Sequence, residues 1–449
     1  MARLSVLDLR GDRSDPRARL PRPVVDLDAA TAGVQETLHA VRDRGDEAVR
    51  ELTARFDGVQ VGDLVVPAEV RAQALADLDP TLRAALERAI DQVRWFHERA
   101  RPQEWSDERD GARMGMWYRP IERAGVYVPG GKAVYPSTVV MTVVPAQVAG
   151  VDEIVLCTPP TGADGMPNRT ILAAAELLGV DRVVRAGGAQ AIAAMAYGTD
   201  SVPRCDKVVG PGNLYVALAK QRLAAEGLIG IDGYAGPTEI GIVADGTADP
   251  RILAADLVAQ AEHDELATCL LITTDPALVA PVEAALDDEV AGTKHRERVE
   301  VALANQGTVA LVDDIDHAVE VAEAFAAEHL EVQTADAAAV AARIRFSGTT
   351  FIGANTPVSL GDYAAGPNHT LPTSGTARFT GGLTTSSFLV PVNWVEYDEA
   401  ALLHLAPSVR ALADAEDLPA HGRAVQVRVE PGSRGGTEPG SRGGTEPGS

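Results

Sequence analysis

The chain has 449 residues, 46 % of them hydrophobic and 23 % charged, which is the make-up of a globular protein with material for two or three domains. Its formal net charge of −24 argues against nucleic acid as a partner and mildly favours a small cationic substrate. Three cysteines, Cys157, Cys205 and Cys269, are too few and too scattered for a disulfide framework or a thiolate metal site.

Residues 1–25 are rich in Arg and Pro and read as an arm. The start "MARLSVLDLRGDRSD" has no signal-type apolar run, which points to a cytoplasmic protein. Helical periodicity dominates from about residue 26 to 100, in "DAATAGVQETLHAVRDRGDEAVRELTARF" and "PTLRAALERAIDQVRWFHERA". The most apolar stretch, "STVVMTVVPAQVAGV", is too short and proline-broken to span a bilayer. Short apolar runs then alternate with helical ones: strand "DEIVLCTPP", helix "RTILAAAELLG", strand "DRVVRAGG", helix "AQAIAAMAYG", strand "DKVVGPG" and helix "NLYVALAKQRLAAEG". A second series runs through strand "TEIGIVADG", a helix over 250–264, strand "TCLLITTD", helix "PALVAPVEAALDDEV", strand "TVALVDD" and a helix over 316–331. Such alternation calls for parallel sheets covered by helices, and two blocks of it suggest two Rossmann-like units in an α/β protein. Residues 347–395 are rich in Gly, Thr, Ser and Pro, a helical segment follows, and the last twenty residues repeat "EPGSRGGT". Lacking apolar residues, that tail is read as disordered.

Three loops interrupt this pattern with glycine. "AGGAQAI" and "VGPGNLY" sit at strand-to-helix junctions, where backbone N–H groups and the helix dipole can receive an anion. Neither is a G-x-G-x-x-G fingerprint, so tight packing explains them equally well. "GVYVPGGKAVYPST" brings a Tyr and hydroxyls to a sheet edge. Together the loops permit a nucleotide site without establishing one.

Two helices carry polar residues on their apolar faces. In the 250–264 helix, which opens at Asp249-Pro250, Asp256, Gln260 and His263 fall among Ile252, Leu253 and Leu257. A hydrogen-bonded core explains this, and so does an amide oxygen and an imidazole nitrogen aimed at one metal ion. In the 316–331 helix, His329 falls inside the arc of Val319, Val321, Ala322, Phe325, Ala326 and Leu330, with Glu328 at its margin. A satisfied core histidine competes there with a pair of proton acceptors at a helix end. Downstream, "SLGDYAAGPNHTLPT" offers Asp362 and His369, and "AEDLPAHGRA" offers Glu416 and His421. A set of Gln260, His263, Asp362 and His421 would suit a catalytic zinc with open positions, and manganese or cobalt equally.

Several of these stretches, in the same order, resemble the histidinol dehydrogenase family: "GVYVPGGKAVYPSTVVMTVVPA", "AGGAQAIAAMAYGT", "VGPGNLYVALAK", "AGPTEI", "DLVAQAEHD", "AEHLEV", "GDYAAGPNHTLPTSGTARF" and "AHGRAV". The resemblance covers roughly residues 26–428. It implies oxidation of L-histidinol to L-histidine through L-histidinal, the last steps of histidine biosynthesis, with two NAD per turnover and one zinc per site. It also implies a homodimer with shared active sites, and no membrane or nucleic-acid partner. By the same resemblance, Gln260, His263, Asp362 and His421 would be the zinc ligands, and Glu328 and His329 the acid–base pair. Tyr127, Gln190 and Asn213 would contact NAD. Thr238 (where many relatives carry Ser), His369, Glu416, His329 and the four ligands would line the substrate pocket. Asp256 would support the ligands from behind, with a cap or surface role equally open. The expected organisation is an arm (1–25), a first Rossmann-like domain in two pieces (26–126 and 239–383), a second (127–238), a small C-terminal domain reaching across a dimer (384–430), and the tail (431–449).

The residue types suit that chemistry. Hydride leaves a carbinol carbon only as the hydroxyl proton is removed, which His329 can do, and Glu328 can activate the water that must add to the aldehyde. Two rivals remain at this level: a zinc hydrolase, which would need no NAD, and a non-catalytic binding protein with two Rossmann-like lobes, a kind often exported.

Overall fold

The computed structural model describes residues 4–23, 27–130, 134–162, 164–233 and 236–430. The repeat tail, the end of the arm and part of the "PGGKA" loop lie outside them. Strand β1 (Ser5–Asp8) opens the chain, and β2 (Trp105–Arg109) and β3 (Ala112–Pro120) form a hairpin. Strands β4 (Arg123–Tyr127), β5 (Glu153–Thr158), β6 (Arg182–Arg185), β7 (Lys207–Val209) and β8 (Gly230–Ile231) follow, with helices between the first four and from β7 to β8. The second series is β9 (Glu239–Ala244), β10 (Thr268–Thr273), β11 (Gly307–Leu311), β12 (His329–Gln333) and β13 (Thr349–Ile352), and β14 (Leu389–Tyr397) comes last.

Among the described residues, chain contacts give two compact units, one within residues 4–101 and 120–389 and one within residues 102–119 and 390–430. The larger holds two parallel sheets, ordered β6-β5-β4-β7-β8 and β1-β11-β10-β9-β12-β13. In each, the first strand of its series (β4 or β9) lies inside the sheet, and the chain winds first to one side and then to the other. The arm is more than a tether, because its β1 extends the six-stranded sheet beside β11. Strand alternation feeds a core on each face: Ile240, Ile242 and Ala244 of β9 enter one, and Val243 enters the other. Both faces being covered explains the unbroken apolar run of "TCLLIT". All three cysteines are buried and free.

Local signals set several boundaries. The expected helix from 28 to 56 divides into Leu27–Arg44 and Asp46–Phe56, because Gly45 turns the backbone to φ 55°. Asp249 caps Pro250–Ala261 by accepting the Arg251 N–H, as its Asp-Pro start predicts. "STVVMTVVPAQVA" is a buried helix, Pro136–Ala149, and among the described residues no helix is long and apolar enough to cross a membrane. The smaller unit holds a sheet ordered β14-β3-β2, with β2 and β3 antiparallel, and packs helix Glu399–Ala415 on helix Pro419–Val429. Val395 and Leu412 there are 70 % and 64 % exposed.

Candidate active site

Helix Pro250–Ala261 follows β9, and helix Ile315–Phe325 follows β11. Each must run back antiparallel to its sheet to start another parallel strand, so each delivers its C-terminal end to the strands' amino ends. Thr238 lies at that rim just before β9, Gln260 and His263 at the end of the first helix, and Glu328 and His329 at the start of β12. Asp362 comes from the short helix Val358–Tyr363 beyond β13. Open α/β sheets ordinarily bind ligands at carboxyl ends, whereas these side chains gather at the amino ends of the six-stranded sheet.

The helix expected over 316–331 stops at Phe325, where Ala326 takes a left-handed φ of 48°, and His329 begins β12. His329 pairs in register with Ile240 on one side and Thr349 on the other. "AAEHLEV" suits a helix locally, but two flanking strands complete its hydrogen bonding as a strand. Leu330 joins the core by strand alternation, and not as part of a helical arc. His263 likewise lies two residues past its helix, with 38 % of its side chain open to the cavity, while Gln260 is buried. Asp256 is buried too, but it bonds Glu331, and burial raises both carboxyls above their ordinary range.

Glu239 orients Glu328 and His329 through its backbone. Its N–H donates to Glu328 Oε2 at 2.9 Å, and its carbonyl accepts from His329 Nδ1 at 3.2 Å. A carbonyl can only accept, so Nδ1 carries the proton and Nε2 is left as the basic nitrogen, 3.8 Å from Asp362 Oδ1. The Thr238 hydroxyl accepts from the Gln260 amide NH2 and donates to Glu328, linking the two. Burial pushes the Glu328 carboxyl up to about 7, against these two donors, and lowers His329 against the pull of Asp362. A neutral imidazole therefore sits beside a carboxyl that exchanges its proton near neutrality. His369 donates from Nδ1 to the Asp362 carbonyl at 2.9 Å and meets the Thr138 hydroxyl at 3.1 Å.

The residues present fit a metal. Gln260 Oε1 is buried without a hydrogen-bond partner, an arrangement that costs free energy unless something else takes the oxygen. His263 Nε2 and Asp362 Oδ2 lie 3.7 Å apart. Burial pulls the His263 pKa down, but the Asp362 carboxylate outweighs it and leaves the imidazole above its ordinary value. Among the described residues, no three His, Cys, Asp or Glu side chains form a metal-holding cluster. The donors are one amide oxygen, one imidazole and one carboxylate, a set that suits zinc. His421 and Glu416 belong to the smaller unit and are exposed.

At the other end of the cavity stand the three loop residues, at carboxyl ends of the five-stranded sheet. Tyr127 closes β4, and its hydroxyl accepts the Gly188 N–H at 3.1 Å. Gln190 lies in the first turn of helix Gly188–Tyr197, buried, with its Nε2 unpartnered. Asn213 caps helix Leu214–Ala225 after β7. Gly210 packs so closely under Tyr127 that a Cβ would fall 2.1 Å from its carbonyl oxygen, at a φ of 115°. A cavity of about 1020 Å³ joins Tyr127, Gln190 and Asn213 to His263, Glu328 and Asp362. β4 and β7 are the neighbours between which the winding reverses, the usual place for a dinucleotide.

In the sequence, Glu239 reads only as the start of an apolar strand. Its signal was an acid at the head of "EIGIVA", whose every residue is buried, a polar intrusion of the same kind as Gln260.

Against known proteins, the family model for histidinol dehydrogenase matches residues 20–429. The histidinol dehydrogenase of Thermobifida fusca (strain YX) is 52 % identical over 429 residues, covering 95 % of this chain and 98 % of that one. The enzyme of Nocardia farcinica (strain IFM 10152) is also 52 % identical, over 439 residues and with the same shares. The crystal structure of histidinol dehydrogenase from Elizabethkingia anophelis superposes with a TM-score of 0.91 at 32 % identity, over 96 % of this chain and 98 % of that one.

Proposed function

From the premise that this chain belongs to the histidinol dehydrogenase family, and so oxidises histidinol to histidine with NAD, we propose the parts its residues play. Taking an alcohol to a carboxylate removes two hydrides, so two NAD are reduced per histidine. That redox demand sets aside the hydrolase and the non-catalytic binding protein.

His329 Nε2 takes the carbinol proton as the first hydride leaves for NAD, giving histidinal. Glu328 then takes a proton from water as its oxygen adds to the aldehyde carbon. His329, once its first proton has passed to solvent, takes a hydroxyl proton of the hydrate as the second hydride leaves. The observation that carries this division is the joint hold of Glu239 on both side chains, which leaves one basic nitrogen and one carboxylate oxygen for the substrate.

Gln260, His263 and Asp362 would hold zinc together with His421 of the partner subunit. When bound, the metal would orient the imidazole and amine of histidinol so that the carbinol carbon faces the nicotinamide. The orphaned Gln260 oxygen supports this assignment. Thr238, His369 and the partner subunit's Glu416 would complete the substrate pocket. Tyr127, Gln190 and Asn213 would hold NAD, residues 127–238 serving the nucleotide and 239–383 the substrate. Val395 and Leu412, exposed in the same unit as exposed His421 and Glu416, support a homodimer in which the residue 384–430 segment completes the neighbour's site. We place the enzyme in the cytoplasm, where NAD-linked biosynthesis occurs.

The test is Glu328→Gln, assayed with histidinol and histidinal separately. Histidinal oxidation should fall by about 10²-fold or more, as expected for loss of a general base, with alcohol oxidation much less affected. Equal losses in the two half-reactions would refute the division.

A further inference from the structure

The N-terminal arm supplies no group to the chemistry above, yet it reaches the back of the catalytic pair. The Arg22 guanidinium donates to Glu239 Oε1 and to the Phe325 carbonyl, and its carbon lies 4.7 Å from the centre of the Phe325 ring. Phe325 ends the helix three residues before Glu328. Glu239 is 1 % exposed, and its Oε1 also accepts the Ser374 N–H at 2.9 Å. Next to Ser374, the Thr373 hydroxyl accepts the Gly236 N–H at 2.5 Å, and both Thr373 and Gly236 face the cavity. Gly375 leaves room for the arginine: a Cβ there would fall 2.9 Å from Arg22 Nη2.

One guanidinium thus ties together three segments: the head of β9, the end of the helix leading to Glu328, and the 372–376 loop. Resting on the roles given above to Glu328 and His329, we propose that Arg22 is a positioning residue for the catalytic pair, acting through Glu239. Glu239 holds Glu328 by its N–H and His329 by its carbonyl, so whatever fixes this residue fixes both catalytic side chains. Its buried carboxylate needs a cation to stay ionised there, and Arg22 is the cation in contact with it. Burial raises the Glu239 carboxyl to about 7 even against that charge. The planar fork matters as much as the charge, because it reaches Glu239 and Phe325 together. A bridge that merely anchored the arm would contribute to stability and leave turnover alone.

The experiment uses the full-length enzyme with Arg22→Gln and Arg22→Lys, measuring kcat and KM for histidinal and NAD across pH. The titratable groups around Glu328 are Glu239, His263, His329 and Asp362. Without Arg22 the Glu239 peptide keeps its strand pairing and the Ser374 N–H but loses its charged anchor, which weakens the N–H bond that favours ionised Glu328. Arg22→Gln should lower kcat about tenfold, leave the NAD KM unchanged, and move the acid limb of the kcat profile up by about one pH unit. Arg22→Lys keeps the charge without the fork, so its kcat should fall between the two and its acid limb return towards the parent.

A folded Arg22→Gln enzyme with kcat within twofold of the parent and an unmoved acid limb overturns the proposal. If Arg22→Gln does not fold, Arg22→Lys decides: a lowered kcat at normal NAD KM supports the proposal, and a parental kcat overturns it. Glu328→Gln run alongside separates the two readings. Parental histidinal oxidation in Glu328→Gln would refute the role of Glu328 itself. Slow oxidation there, with Arg22→Gln unchanged, would refute only the role of Arg22.

Discussion

Glu328→Gln should make the metal-free protein more stable at neutral pH than it is with its glutamate. The carboxyl ordinarily titrates near 4.5 and is pushed to about 7 here, chiefly by burial. Between those values the folded protein holds the proton more tightly than the unfolded chain, so stability falls as pH rises through that window and is constant outside it. At about 1.4 kcal/mol per pH unit, the ionised form costs about 3 kcal/mol above pH 7. Glutamine has nearly the same shape, its amide oxygen can accept from Thr238 and the Glu239 N–H, and it never ionises. Urea unfolding of both proteins at several pH values, in the presence of a chelator, measures the difference. Taking pH 4 as reference, the variant should gain nothing there, progressively more up to pH 7, and about 3 kcal/mol at pH 8. A difference that does not change with pH would refute the reasoning, because it would mean that the Glu328 carboxyl titrates alike in the folded and unfolded chains.

Metal removal should abolish turnover while leaving the far-ultraviolet circular dichroism unchanged, since the sheets and their covering helices supply the core; full activity in a thoroughly metal-free preparation would sink the zinc assignment. Co-expressing His263→Ala and His421→Ala chains, each inactive alone, should restore activity at about a quarter of all sites if dimers pair at random and His421 serves the neighbouring site. Proven mixed dimers without activity would overturn the shared site.

Helix starts and strand runs were legible because their causes are local. Asp249-Pro250 starts a helix by capping and by proline's fixed φ, and "TCLLIT" reads as a buried strand from its composition. The two glycine turns could be placed at strand-to-helix junctions, where helices Gly188–Tyr197 and Leu214–Ala225 do begin. "AAEHLEV" could not be resolved that way. Its residues suit a helix, and the bonds that make it a strand come from β9 and β13, about 90 and 20 residues away in the chain.

The amino-acid sequence by itself determined the α/β alternation, the motifs that carry the family resemblance, and the oddity of Gln260 and His263 within an apolar pattern. Only the tertiary structure decided that Thr238, His263, Glu328, His329 and Asp362 gather at the amino ends of one sheet and face a cavity shared with the carboxyl ends of the other, with buried Gln260 bonded to Thr238 behind them. It alone also revealed Asp256 bonded to Glu331, and Glu239 holding both Glu328 and His329 with Arg22 behind it. The physical reason is the range of the interactions. Propensity and capping act within a few residues, whereas strand order and register bring together side chains that share no local pattern, and a buried hydrogen bond between them leaves no periodic trace in the chain.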